Sequence, residues 1–264
     1  MRSCWAKKAG PVTEPLLRVR GLTKHFGGIA ANSDIDLEIG HADVHAVIGP
    51  NGAGKTTLVA QLSGELRSTS GNIVFDGVDI TALPPARRAL SGLARTFQIT
   101  SIFKNFSAIE NVAMAAQAHC GHSYRFWARA DRDERLNLLA REVLAAVGLD
   151  SQQAKAAMHL SHGEHRQLEI AMALVTNPKL MLLDEPTAGM GPEESQHIVR
   201  LLQALKQRHA MLLIEHDMEV VFAIADRITV LVAGRVIACG TPGEIQANQA
   251  VREAYLGESA VALT

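Results

Sequence analysis

The segment from Val44 to Leu58 limits the possible folds of this chain more than any other stretch. An apolar, β-branched run comes first, then a glycine-rich stretch, then a sequence compatible with a helix. Glycines let several backbone N–H groups face one point, and a helix start adds the positive end of its dipole. The segment therefore predicts a buried strand, an anion-binding loop and a helix, in that order.

The fixed positions of this segment match the pattern G-x-x-x-x-G-K-T. In that pattern the loop amides cradle phosphates, the lysine reaches the β- and γ-phosphates, and the following hydroxyl lies on Mg²⁺. A glycine-rich turn that binds nothing is the alternative, but it would not require both the strand and the helix. The candidate nucleotide-binding residues are Gly49, Pro50, Asn51, Gly52, Ala53, Gly54, Lys55, Thr56 and Thr57.

A second apolar run, residues 180–186, ends in two carboxylates and is typical of a buried parallel strand. Ligands of α/β sheets bind at the carboxyl ends of the strands. We therefore expect Asp184 there, holding Mg²⁺ through water. Glu185 is the candidate base that accepts a proton from an attacking water.

Three further candidates are less specific. Gln98 ends a short strand and could bind Mg²⁺ or hold a water, although a lone glutamine is more often a surface residue. His216 follows an apolar strand and could hydrogen-bond a γ-phosphate and a water, or be structural. Phe26, before Gly27 and Gly28, could stack on a purine or be a core contact.

Residues 160–164 predict another helix start. Ser161 and Glu164 form an S-x-x-E capping box. Ser161, the Gly163 N–H and the helix dipole would also form a second anion site. Because it lies in another part of the chain, one nucleotide could join both sites only with a second protomer.

The remaining pattern predicts an α/β fold with an antiparallel N-terminal sheet and an inserted helical subdomain. Alternation in residues 16–39 indicates the antiparallel sheet, and residues 71–77 an edge strand. Residues 228–232 and 236–239 predict a hairpin across Gly234 and Arg235. A helix over 131–147 would bury one apolar stripe, formed by Leu136, Leu139, Val143, Leu144 and Val147.

The composition of the chain narrows the classes of protein to which it can belong. The chain has 264 residues, 47% of them hydrophobic, and a formal net charge of −1, so it can bury a core and shows no basic surplus for nucleic acid. Three scattered cysteines predict a reduced, cytosolic protein without a zinc site. No apolar run approaches the roughly 20 residues that a membrane-spanning helix needs.

Taken in order, these motifs resemble the ATP-binding subunit of ABC transporters. Phe26 matches the adenine-stacking loop, Gly49–Thr57 Walker A, Gln98 the Q-loop, Leu160–Glu164 the signature, Leu180–Glu185 Walker B and His216 the H-loop. The resemblance implies a P-loop NTPase core and a head-to-tail dimer that holds two ATP molecules with Mg²⁺. We expect an ATP-binding domain over residues 16–258, with the helical subdomain at about 100–178. A mobile N-terminal tail (1–15) would precede this domain, and a C-terminal tail (259–264) would follow it.

A narrower resemblance is to the importer ATPases for branched-chain amino acids. It rests on residues 93–98, 109–112, 160–164, 215–218 and 254–257. It implies two membrane permease subunits, a second ATPase chain (sister or identical), an indirect periplasmic solute-binding protein, no nucleic acid, and a peripheral position on the cytoplasmic face of the membrane. Importers of urea or short amides share much of the pattern. The motifs are also compatible with a soluble ABC ATPase or a regulatory nucleotide switch.

Several positions depart from the general family pattern. His162 stands where glycine is common, Glu164 and His165 where glutamine is common, and Gly191 where Asp or Asn is usual. The segment Ile99–Phe106 is the expected contact with the membrane subunits. Phe103 and Phe106 are its candidate anchors or, alternatively, ordinary core residues. The aromatic segment 122–129 could be local packing or a partner site.

Overall fold

The computed structural model describes residues 14–96, 102–119 and 134–254. Gln98, the aromatic segment 122–129, the start of the helix expected from residue 131, and nearly all of both expected tails lie outside the described residues.

The described chain folds into two sheets and a set of helices that cover them. The strands are β1 (Leu17–Phe26), β2 (Ile29–Ile39), β3 (Val44–Ile48), β4 (Ser70–Phe75), β5 (Val78–Asp79), β6 (Leu93–Arg95), β7 (Leu180–Asp184), β8 (Ala210–Ile214), β9 (Arg227–Val232) and β10 (Arg235–Gly240). The helices are α1 (Lys55–Ser63), α2 (Pro85–Leu90), α3 (Ala108–His119), α4 (Glu134–Ala146), α5 (His162–Leu174), α6 (Pro192–Leu205), α7 (Met218–Ile224) and α8 (Pro242–Ala247). Residues 249–254 are also helical.

The larger sheet has the strand order β10-β9-β3-β8-β7-β6. Its strands run parallel except for β10, which pairs antiparallel with β9. Every residue of β3, β7 and β8 is buried. Their side chains alternate between two cores, so that Ala46 packs in one and Val47 in the other. Burial on both faces explains why these strands are apolar apart from His45 in β3 and Asp184 at the end of β7.

The smaller sheet is antiparallel, with the order β2-β1-β4-β5, as alternation in the N-terminal region predicted. The expectation that residues 71–77 form an edge strand was wrong. β4 lies between β1 and the two-residue β5, and Ile73 and Phe75 are buried. The residue pattern identified β4 as a strand. It could not show that β4 pairs with β1 on one side and β5 on the other, because β1 is distant in sequence.

The hairpin between β9 and β10 turns one residue earlier than expected. Arg235 pairs with Val232, so the loop residues are Ala233 and Gly234. Their φ values are 46° and 74°. Two positive φ values match the turn twist that two-residue hairpins favour.

The helical region contains α3, α4 and α5, which pack against one another. Leu136, Leu144 and Val147 are buried in the core as predicted, and Val143 packs against it. Leu139 is 36% exposed, and the fully buried Ala140 takes its place in the stripe. At 100° per residue Leu139 lies at the margin of the face centred on the other apolar residues, so it reaches solvent.

His45 is a buried polar residue inside the parallel sheet, and only 2% of it is exposed. Its Nε2 lies 2.7 Å from Thr229 Oγ1. Burial, with a smaller contribution from nearby Arg227, lowers the pKa of His45 to about 3. The imidazole is therefore neutral in the folded protein throughout the physiological range.

This histidine predicts acid sensitivity of the fold. Below pH 6.5 the unfolded imidazole binds a proton that the folded one cannot, so the free energy of unfolding should fall by about 2 kcal/mol from this group between pH 7 and pH 5. His45→Gln keeps a polar partner for Thr229 without titrating. Urea titrations at both pH values should show a smaller decrease for this variant. His25→Gln, at an exposed histidine, is the control, and equal decreases in all three proteins would contradict the prediction.

Candidate phosphate and catalytic site

The predicted phosphate loop connects β3 to α1. β3 ends at Ile48, and α1 begins at Lys55 after Gly54 as its N-cap. Gly52 and Gly54 have φ values of 76° and 100°. Since glycine offers no side chain to cap α1, the N–H groups of the first helical turn remain for an anion.

Neighbouring backbone forces this loop into its shape. A Cβ at Gly49 would lie 2.0 Å from Leu231 O, and one at Gly54 would lie 2.4 Å from Ala31 O. The hairpin turn also reaches the loop, because Gly234 N donates to Ala53 O at 2.9 Å. β2 and the β9–β10 hairpin thus hold the loop from outside, and only glycine fits at positions 49 and 54.

Lys55 folds back over the loop that precedes it. Its ammonium donates to Gly49 O at 2.6 Å and to Pro50 O at 2.9 Å, and only 9% of the residue is exposed. Thr56, the candidate Mg²⁺ ligand, is exposed at the helix start. The lysine charge is therefore held at the anion-binding end of α1.

Asp184 is at the carboxyl end of β7 and is 2% exposed. Burial raises the pKa of this carboxyl group, while the positive charges of Arg95, Arg166 and Lys55 act against that shift. Arg95 Nη2 lies 3.3 Å from Asp184 Oδ2. Helix α1, which follows the phosphate loop, contacts β7, so the loop and the end of β7 are neighbours, as the parallel sheet predicted.

Glu185 and His216 come together beside this carboxylate. Glu185 has a φ of 48°, and its N–H donates to Ile214 O at 2.9 Å. A positive φ at a residue other than glycine is strained and persists only where its surroundings impose it. His216 Nδ1 lies 3.9 Å from Glu185 Oε1. The structure therefore places the candidate base and the candidate histidine at one edge of the sheet.

The second predicted anion site is at the start of α5. Ser161 Oγ accepts from Glu164 N at 3.2 Å, and Glu164 Oε2 accepts from Ser161 N at 2.7 Å, which confirms the capping box. Gly163 is buried, and the Glu194 carboxylate lies beside it. The site opens on a cavity of about 330 Å³ whose lining comes from residues 148–167 and 194–198. The phosphate loop does not contribute to that lining, so the two helix starts serve separate sites.

His162 contacts the loop that follows β7. Ala188 O can only accept a hydrogen bond, so His162 Nε2–H is the donor, at 3.0 Å. The side chain therefore ties the start of α5 to the segment after Glu185, a contact that glycine could not make. Gly191, the other notable departure, is the N-cap of α6, and a Cβ there would meet nothing within 4 Å.

The three aromatic candidates in the described part of the chain, Phe26, Phe103 and Phe106, are on the surface. Phe26 is 51% exposed at the end of β1, with Lys24 Nζ 5.2 Å from its ring centroid, so it is not a core contact. Phe103 and Phe106 are also exposed and stack with their centroids 5.6 Å apart, which rules out ordinary core positions for both. Within the described ranges, no helix is long and apolar enough to cross a membrane.

The sequence motifs did not reveal Arg95 and Glu215. Arg95 pairs with Asp184 across two parallel strands, and Glu215 is fully buried next to His216. The signal for Glu215 was a carboxylate at the end of an apolar strand, the same signal that identified Asp184. Nothing in the local sequence around Arg95 indicated its partner.

Comparisons with known proteins agree with this geometry. The family model of ABC transporters matches residues 32–188, and that of the branched-chain amino acid ATP-binding cassette transporters matches residues 235–261. The chain is 38% identical to the high-affinity branched-chain amino acid transport ATP-binding protein BraF of Pseudomonas aeruginosa, over 94% of this chain and 100% of BraF. It is 39% identical to LivG of Salmonella typhimurium, with the same coverage.

Solved structures show the same fold. A crystal structure of the ADP conformation of an ATP-binding cassette of an ABC transporter matches with a TM-score of 0.83 and 30% identity, over 93% of this chain and 100% of that one. A nucleotide-free cassette matches with a TM-score of 0.82 at the same identity, over 92% and 99%. The chain therefore belongs to the ABC transporter family, as an ATPase subunit with the α/β cassette fold that its motifs predicted.

Proposed function

We propose that this chain hydrolyses ATP to drive import of branched-chain or other hydrophobic amino acids through separate permease subunits. The observation that carries the proposal is that four groups lie at the carboxyl end of the parallel sheet: Lys55, Asp184, Glu185 and His216. Their elements come from distant parts of the chain, and the charges around Asp184 match those of a phosphate-transfer site.

The solute assignment rests on relatives rather than on the catalytic site. BraF and LivG are named for branched-chain amino acid transport, and the C-terminal model match carries the same description. A relative that is 33% identical, over 92% of this chain, is named for lipopolysaccharide export in Escherichia coli. The cassette fold is therefore shared across solutes, and importers of urea or short amides remain the alternative.

The residues at the sheet edge fit Mg²⁺ as well as ATP. Mg²⁺ prefers oxygen ligands and keeps several waters. Thr56 supplies an exposed hydroxyl and Asp184 a carboxylate, with Gln98 as the further candidate. Mg²⁺ in nucleotide sites is usually held by one or two carboxylates together with substrate phosphates, so phosphate oxygens would complete the site. Bound Mg²⁺ would neutralise charge on the β- and γ-phosphates.

In this mechanism the protein mainly positions groups and balances charge. The loop amides and Lys55 hold the phosphates, and Phe26 offers an exposed ring for the adenine. Glu185 accepts the proton of the attacking water, and His216 holds that water against the γ-phosphate. Correct alignment of the water and the γ-phosphate supplies much of the rate.

A second ATPase chain, sister or identical, completes each site. Ser161 and Gly163 border a cavity separate from the phosphate loop of the same chain. A head-to-tail dimer would place this signature against the ATP bound to the other chain's loop. The dipole of α5 would then face the γ-phosphate.

The permease subunits would contact the side of the chain near α2, β6, α3 and α5. An apolar cavity of about 360 Å³ lies between these elements. Phe103 and Phe106 are exposed near the start of α3. Such exposed apolar surface favours a protein partner over nucleic acid, as does the net charge of −1. The chain would act peripherally on the cytoplasmic face, with the solute-binding protein contacting only the permeases.

Two substitutions should separate hydrolysis from binding. Glu185→Gln removes the base, and losing a general base typically lowers rate by ~10²–10⁴. ATP should still bind, and dimers should accumulate. Lys55→Ala should weaken ATP binding by roughly 10- to 100-fold, because charge-assisted hydrogen bonds contribute about 1.5–3 kcal/mol. Steady-state phosphate release and equilibrium binding of a fluorescent ATP analogue measure the two effects.

The matched controls are Glu142→Gln, on the exposed side of α4, and Lys179→Ala, in an exposed ion pair with Asp76. Both should retain normal turnover and affinity. Near-normal turnover in Glu185→Gln would show that another group is the base. Loss of turnover with unchanged affinity in Lys55→Ala would limit the lysine to the chemical step.

The transport role predicts defined membrane partners. Tagged protein drawn from detergent-solubilised native membranes should co-purify two permeases and a second ATPase, identified by mass spectrometry. A deletion strain should lose leucine uptake, and the wild-type chain, unlike Glu185→Gln, should restore it. Permeases with intact leucine uptake would move the solute to urea, amides or another acid, whereas recovery of no membrane protein would overturn the transport role.

A further inference from the structure

Glu215 is a fully buried carboxylate to which the hydrolysis mechanism gives no task. It follows β8 directly and precedes His216 in the chain. A buried carboxylate is costly unless hydrogen bonds satisfy it. The hydrogen-bond donors around Glu215 therefore indicate what this side chain does in the fold.

The two oxygens of Glu215 face two different segments. Oε1 accepts from Thr187 N at 3.1 Å and from the Thr187 hydroxyl. Oε2 accepts from His216 N at 3.0 Å and from Asp217 N at 3.5 Å. One side chain thus joins the loop after β7 to the segment after β8.

These segments carry the two groups assigned to hydrolysis. Thr187 belongs to a turn that begins at Glu185 and is closed by Ala188 N donating to Glu185 O at 3.1 Å. His216 Nδ1 lies 3.6 Å from Glu215 Oε2 and 3.9 Å from Glu185 Oε1. The backbone ladder between β7 and β8 ends at Asp184 and Ile214, with one further bond from Glu185 N. Beyond the last of these backbone bonds, the Glu215 side chain links the segment after β7 to the segment after β8.

We propose that Glu215 is a positioning residue that sets the separation between Glu185 and His216 by holding their two segments on one carboxylate. The inference rests on the proposed roles of those two residues in ATP hydrolysis.

The chemistry of the side chain explains why a carboxylate stands here. Both oxygens of an ionised carboxylate accept hydrogen bonds, and both face donors in this structure. Glutamine has one accepting oxygen and one donating NH₂ group. In Glu215→Gln the NH₂ must face either the Thr187 donors or the His216 N–H, so one of the two segments loses its attachment.

The first test is the kinetics of Glu215→Gln in the full-length chain. Misplacement by about 1 Å can cost about 100-fold in rate, so we expect kcat for ATP to fall about 10- to 100-fold. KM and nucleotide affinity should change less than about 3-fold, because the hydrogen bonds of Glu215 go to residues 187, 216 and 217 and not to the phosphate loop. Glu38→Gln removes a different buried carboxylate, which is ion-paired with Arg18 in the antiparallel sheet, and should keep normal kcat.

A double-mutant cycle separates positioning from general stability. In single-turnover reactions with enzyme in excess, Glu215→Gln should lower the rate less than about 3-fold further when His216→Ala is already present. A purely structural role would instead multiply the two losses. Multiplied losses, or a normal kcat in the single variant, would overturn the inference.

Thr187→Val provides a variant that keeps the carboxylate. It removes the hydroxyl donor to Oε1 and leaves the Thr187 N–H bond, so kcat should fall about 3- to 10-fold with unchanged KM. If Glu215→Gln does not fold, this variant decides the question, and an unchanged kcat would overturn the inference. If Glu185→Gln and His216→Ala themselves retain turnover, the catalytic roles proposed for those two residues fail instead, and the test of Glu215 is not what decides them.

Discussion

The close packing of backbone around the phosphate loop is the constraint on which the rest of the site depends. Strand ends from β2 and β9 approach Gly49 and Gly54 so closely that no side chain could stand there. The Gly234 N–H bond to Ala53 adds a contact from the hairpin turn. Because β2 and the β9–β10 hairpin both converge on the loop, its amides are positioned before any phosphate arrives, which is the condition for electrostatic catalysis without reorganisation.

The parallel sheet places the polar residues that follow β7 and β8 beside this loop. β3 lies next to β8, and β8 next to β7, so the loop after β3 and the polar ends of β7 and β8 share one edge. The buried carboxylates at this edge each have positive groups or hydrogen-bond donors beside them. Arg95 and Lys55 oppose the burial of Asp184, and four donors satisfy Glu215. This balance allows carboxylates to be kept in a dry site where their influence on the reaction is strongest.

The start of α5 is the second predicted anion site of the chain. It has its own capping box and its own cavity, and its His162 contacts the segment that follows Glu185. If the start of α5 received a second chain's nucleotide in the proposed dimer, it would therefore be in contact with the turn that carries Glu185, the proposed base. In the proposed dimer, that contact gives a physical route between the two sites, built from a side chain that glycine could not replace.

The sequence by itself determined the features that depend on local pattern: the buried strands, the phosphate loop, the capping box and the order of motifs. It could not determine which surfaces meet. The exposure of Leu139, the interior place of β4 and the turn at Ala233 depend on packing and pairing with residues far away. The partners of Arg95 and Glu215 likewise became visible only in the folded chain, because hydrogen bonds and ion pairs between strands have no local periodicity for a sequence to show.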